Sequence, residues 1–134
     1  MISKEKDEFI ISPYTLTEVI NAVIYAGGTI KYIDIDIKTG LPNEKQLDQI
    51  ISNKTAGIII THLYSNEDAI KNFKNKYYNK IKIIEDNAIN FGAKLSSGEY
   101  LGTLFDYGFF SFVVMKMLCI VNGDRIFVKE NNDI

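Results

Sequence analysis

An α/β fold, three layers around a mostly parallel sheet, is what this sequence predicts. Three observations predict it: short aliphatic and β-branched runs, intervening segments with apolar residues at helical spacing, and the regular alternation of the two. Residues 9–11, Phe-Ile-Ile before Ser12-Pro13, read as a short buried strand. Residues 15–26 carry Leu16, Val19, Ile20, Val23 and Ile24 at helical spacing, and Gly27-Gly28 stops that helix. Residues 29–36 are rich in β-formers, and the turn Lys38 to Asn43 leads into a helix near 44–52 with Asn43 as its N-cap. Residues 57–62, Gly-Ile-Ile-Ile-Thr-His, form a run buried on both faces, 66–78 is helical, and 80–85 is another buried strand. A glycine-containing, hairpin-like region covers 93–102, and 107–112 and 125–129 supply two further short strands.

With 134 residues and 46% apolar content, the chain has the size of one globular domain spanning 1–134. Fifteen basic and seventeen acidic residues leave a formal charge of -2, and the basic residues are scattered, which argues against a nucleic-acid partner. Cys119 is the only cysteine and His62 the only histidine, so no intrachain disulfide forms and no metal site is expected. The charged start, residues 1–8, is unlike a signal peptide, and no apolar run approaches membrane-spanning length. A soluble cytoplasmic protein without a membrane partner is the expectation.

Ligands of parallel α/β sheets sit beyond the carboxyl ends of the strands. Ile81-Lys82-Ile83-Ile84 delivers Glu85-Asp86 to such an end, and Lys116 stands five residues after Ser111, past another. A carboxylate, a hydroxyl and an amine so placed suit pyridoxal phosphate. The Asp keeps the pyridine nitrogen protonated, the Ser hydroxyl takes the phosphate, and the Lys amine forms the Schiff base. Each residue has an ordinary alternative. Asp86 can cap the turn after its strand, Ser111 can satisfy a buried backbone group, and a lysine after an apolar segment is usually solvated. His62 at a strand end is read as a structural, hydrogen-bonded histidine and Asp106 as fixing a turn. Phe73, Tyr77 and Tyr78 are read as packing residues, and Lys71, Lys74, Lys76, Lys80 and Lys82 as a solvated face.

Around these residues the chain resembles the DegT/DnrJ/EryC1/StrS family of pyridoxal-phosphate-dependent aminotransferases, which act on nucleotide-linked keto sugars. The resemblance runs through Asp7-Glu8-Phe9-Ile10-Ile11-Ser12-Pro13-Tyr14-Thr15, Asn21-Ala22-Val23, Asp34-Ile35-Asp36, Thr39-Gly40 and His62-Leu63-Tyr64. It continues through Ile84-Glu85-Asp86-Asn87-Ala88, Phe91-Gly92-Ala93, Gly102 to Asp106, and Phe110-Ser111-Phe112 to Lys116. These segments stand in family order over nearly the whole chain. The resemblance implies part of a fold type I transferase large domain, with Lys116 as the Schiff-base lysine, Asp86 as the pyridine-nitrogen partner and Ser111 as a phosphate ligand.

It also implies departures. The family's upstream Gly-Thr-Gly-Thr-type phosphate segment and its downstream small domain have no counterpart. Leu16 stands where the family places a stacking aromatic, and Ile89 where it places Gln or His. Asn122-Gly123 replaces a Gly-Gly turn, after an apolar Leu118-Cys119-Ile120-Val121. The expectation is therefore a truncated or degenerate sugar aminotransferase of cell-surface polysaccharide biosynthesis, inactive alone. Its expected partners are a second copy in a homodimer or a complementing chain, with a nucleotide-sugar substrate if active. The alternatives are a non-catalytic interaction domain and the product of a broken gene.

Overall fold

A computed structural model describes residues 5–113, 116, 118 and 123–129; residues 1–4, 114, 115, 117, 119–122 and 130–134 lie outside the described residues, and with them Cys119-Ile120-Val121 and Asn122. In chain order the elements are β1 (Glu8–Ile11), α1 (Thr17–Tyr25), β2 (Thr29–Tyr32), α2 (Glu44–Ile50), β3 (Thr55–Thr61), α3 (Glu67–Tyr77), β4 (Ile83–Asp86), β5 (Tyr107–Ser111) and β6 (Asp124–Val128). The six strands form one sheet in the order β2-β1-β3-β4-β5-β6. All neighbours are parallel except β5 and β6, which pair antiparallel.

Strand alternation sorts the aliphatic runs between two faces. Ile10, Ile58, Ile60 and Ile83 point to one face, where they meet Leu47 of α2 and Ile70, Phe73 and Tyr77 of α3. Ile11 and Ile59 point to the other, under Val19 and Val23 of α1. Helices on both faces of a central sheet make the three predicted layers. Phe73 and Tyr77 are buried in contact at 4.6 Å between ring centroids, as core residues.

The helix boundaries follow from their caps. Asn43 accepts from the amides of Lys45 and Gln46, and Asn66 accepts from the Ala69 amide, so α2 and α3 both begin at a side-chain cap. Leu16 offers no such group, and α1 starts at Thr17, two residues inside the predicted span. Gly27, at φ +85°, donates to the carbonyl of Ile24, and Gly28 to that of Val23, which ends the helix as the Gly-Gly pair implies. Asn79, at φ +68°, turns the chain at the end of α3, and the amides of Lys80 and Ile81 donate back to Tyr77. The next strand therefore runs over Ile83–Asp86 rather than 80–85.

Two other expectations are corrected. The predicted strand 29–36 leaves the sheet after Tyr32, with Ile35 making only an isolated bridge to Pro42. Asp106 does more than fix a turn: its carboxylate accepts from the Ile83 amide (3.0 Å) and from Lys82 Nζ (2.7 Å), tying the start of β4 to the loop ahead of β5. Beside Lys82, three lysines of the solvated face are ion-paired: Lys71 with Glu67, Lys74 with Glu99, and Lys76 with Glu44 and Asp48. Such surface pairs contribute little to stability each. The hairpin-like region closes through an antiparallel bridge between Lys94 and Tyr100.

Candidate functional site

The chain leaves β1 toward β2 on one side of the sheet and β3 toward β4 on the other, so the strand order reverses between β1 and β3. A crevice forms beyond the carboxyl ends of the strands at such a switch point. Here it is a cavity of about 380 Å³. Three loops line it: Pro13 to Leu16 after β1, Thr61 to Tyr64 at the end of β3, and Asp86, Ala88 and Ile89 at the end of β4. Lys116 completes the wall.

Asp86 is the last residue of β4 and is 2% exposed. Its Oδ1 accepts from the Ala88 amide at 3.2 Å, so it caps the following turn as well as facing the cavity. Burial pushes its carboxyl above the usual Asp range. The Ala88 amide, the Thr61 hydroxyl and the charges of His62 and Lys116 pull in the opposite direction without overcoming burial. Lys116 is half-buried, its backbone amide donating to the carbonyl of Val113 at 3.2 Å. The fold thus brings together on one cavity wall two residues thirty positions apart in sequence. Ser111 ends β5 two residues beyond Phe109, the register partner of Asp86. It therefore leaves the sheet on the Asp86 face, and it does not line the cavity.

His62 follows β3, is 2% exposed and holds three contacts. Its Nε2 donates to Glu85 Oε1 at 2.9 Å, its amide donates to the carbonyl of Asp86, and its own carbonyl accepts from the Asn90 side chain. This is the structural role read from its strand-end position, although the residue also borders the cavity.

Glu85 escaped the sequence reading. It is fully buried, on the sheet face opposite Asp86. Besides His62, it accepts from the amides of Gly102 (2.9 Å), Leu104 (2.7 Å) and Phe105 (3.1 Å). Four donors meet one carboxylate, which clamps the loop ahead of β5 to the strand carrying Asp86. The available signal is the alternation itself: in Ile83-Ile84-Glu85-Asp86, the acid on the Ile83 face must enter the core and find partners there.

Leu16 and Ile89, two of the positions read as departing from the family pattern, both stand on the cavity wall, 56% and 42% exposed. Among the described residues, no group of three or more His, Cys, Asp or Glu side chains gathers as metal ligands. No helix among them is long and apolar enough to cross a membrane.

The family model described as the DegT/DnrJ/EryC1/StrS aminotransferase family matches residues 2–133. A GDP-perosamine synthase of Escherichia coli O157:H7 is 32% identical over 130 residues, which cover 94% of this chain and 35% of that protein. The structure of the aminotransferase from Psychrobacter cryohalolentis superposes with a TM-score of 0.76 at 27% identity, covering 92% of this chain and 32% of the other. The Escherichia coli GDP-4-keto-6-deoxy-D-mannose-3-dehydratase with bound hydrated PLP shares the fold, at TM-score 0.75 and 23% identity, over 96% of this chain and 33% of its own. The chain spans about a third of the length of the relatives it matches.

Proposed function

The chain belongs to the DegT/DnrJ/EryC1/StrS aminotransferase family, and on that premise we propose that it forms the lysine-bearing part of a pyridoxal-phosphate site. The observation that carries this reading is the placement of Asp86 and Lys116 on one cavity wall at the switch point of the sheet. The donor set fits the ring end of the cofactor. Asp86 is a buried carboxyl whose ionised form lacks full compensation, so a protonated pyridine nitrogen supplies the missing cation. Lys116 is the amine available to hold the aldehyde carbon and, once released, to carry a proton to and from the substrate carbon. Bound there, the cofactor supplies the electron sink that transfer of an amino group needs. Ser111, on the same sheet face and further along β5, is assigned to the phosphate.

The proposed reaction of the intact assembly is amino transfer to a nucleotide-linked keto sugar in cell-surface polysaccharide biosynthesis, a reading supported by relatives that are nucleotide-sugar aminotransferases. This chain corresponds to part of the large domain. It matches about a third of the relatives' length, and its partner in the assembly is a second copy, as a homodimer, or a complementing chain. Leu16 and Ile89 on the cavity wall lower cofactor affinity relative to the family pattern.

One observation favours an interaction role in addition. At the carboxyl end of α1, Ile24 is 55% exposed and the adjacent Tyr25 88% exposed. Neighbouring exposed apolar side chains of this kind suit a partner subunit.

A spectral titration with pyridoxal phosphate, before and after borohydride reduction, tests the cofactor reading. A Schiff-base band fixed by reduction and missing from Lys116→Ala supports it. An identical band in the variant overturns it.

A further inference from the structure

Thr61 and Asp86 are register partners on the neighbouring parallel strands β3 and β4, so their side chains leave the sheet on the same face at the cavity floor. That register sets the Thr61 hydroxyl beside the Asp86 carboxyl, on which it acts to favour the ionised form. On its other side it shares a hydrogen bond of 3.0 Å with the hydroxyl of Thr15, in the loop between β1 and α1. The three groups therefore stand in a row from the β1 loop, across the end of β3, to the end of β4, and a Thr61 hydroxyl turned to Asp86 would join them in one line.

Each hydroxyl carries one proton and accepts with its lone pairs, so the line can run in either direction. With Asp86 ionised, Thr15 donates to Thr61 and Thr61 donates to the carboxylate. With Asp86 protonated, the carboxyl donates to Thr61 and Thr61 to Thr15. Either orientation leaves no member of the line without a partner, which matters for a carboxyl 2% exposed to water. The other ionisable groups bordering the same cavity are Tyr14 beyond β1, His62 and Tyr64 beyond β3, and Lys116 beyond β5. Of these, His62 is engaged by Glu85 on the opposite face of the sheet.

We infer that Thr61, backed by Thr15, is a positioning residue for Asp86: its hydroxyl steadies the ionised carboxylate in the orientation that faces the cavity, ready for a cationic ring nitrogen. The ring-nitrogen half of this inference rests on the cofactor reading above. The coupling of Thr61 to Asp86 does not.

The test separates the two. Side-chain carboxyl carbon NMR follows the titration of Asp86 in the ligand-free full chain, in the unaltered protein and in Thr61→Val, Thr61→Ser and Thr15→Val. Pyridoxal phosphate is then titrated into each. Thr61→Val keeps the β-branched shape and removes the hydroxyl. It is expected to move the Asp86 titration to higher pH and to weaken formation of the Lys116 adduct about tenfold. Thr61→Ser restores both, and Thr15→Val shifts the titration in the same direction by less. An Asp86 titration that is unchanged in Thr61→Val overturns the inference, whatever the ligand does. A shifted titration with no Lys116 adduct in any variant, the unaltered chain included, upholds the coupling and overturns the cofactor reading together with the ring-nitrogen half.

Discussion

Asp86 and Glu85 are adjacent carboxylates, both buried, with opposite surroundings. Glu85 meets four donors, and removing it leaves three buried amides and an imidazole without their acceptor. Glu85→Ala is expected to cost about 3–5 kcal/mol in denaturant unfolding, the range for breaking a buried charged network. A loss below about 1 kcal/mol contradicts the clamp. Asp86 is under-compensated, and its raised pKa has a definite sign for stability. As pH rises above the ordinary Asp value, the unfolded chain gives up this proton first, so the native state binds more protons and stability falls through that window. It stays lower above the native pKa. Asp86→Asn keeps the Oδ1 acceptor for the Ala88 amide and removes the charge. It should therefore raise the unfolding midpoint of the ligand-free chain at pH 7 and abolish this contribution to the decline. A destabilised Asn variant would show that Asp86 is a structural carboxylate instead.

At the scale of elements, local signals located most of the fold because they satisfy groups that have no other partner. Asn43 and Gly27-Gly28 are legible in sequence since a helix end needs a side-chain acceptor or a positive φ, and few residues supply either. Asn66→Ala should cost about 1 kcal/mol by thermal or denaturant unfolding through loss of the Ala69 amide bond. An unchanged midpoint would mean that tertiary packing alone sets the start of α3. The strand at 83–86 is less legible because Asn79, in a left-handed turn, and the amides after it still belong to the end of α3. The early end of β2 has a similar origin: residues 33–36 keep the β composition of a strand, but after the Ile33 amide bonds the Ile11 carbonyl of β1 the chain leaves that ladder, and Ile35 makes an isolated bridge to Pro42.

At the scale of the whole molecule, the site depends on strand order, which no single segment encodes. Asp86 and Lys116 are recognisable from residue chemistry and family resemblance, and the sheet order brings them to one cavity. Ser111 shares the sheet face of Asp86 and stands outside that cavity, two residues past the β5 position paired with Asp86. Thr61 carries no comparable sequence signal, and Glu85 only the strand alternation that turns it into the core. Their partners appear when β3 and β4 are set in register, with Thr61 opposite Asp86 and Ile60 opposite Glu85.

The central claim, that Asp86 and Lys116 act on one ligand, is tested most directly by mapping the lysine modified when the full chain is incubated with pyridoxal phosphate, reduced with borohydride and digested for mass spectrometry. The account predicts a pyridoxyl group concentrated on Lys116, and its loss in Asp86→Asn although Lys116 itself is untouched. Label spread over the surface lysines, or a Lys116 label that Asp86→Asn leaves unchanged, would contradict it.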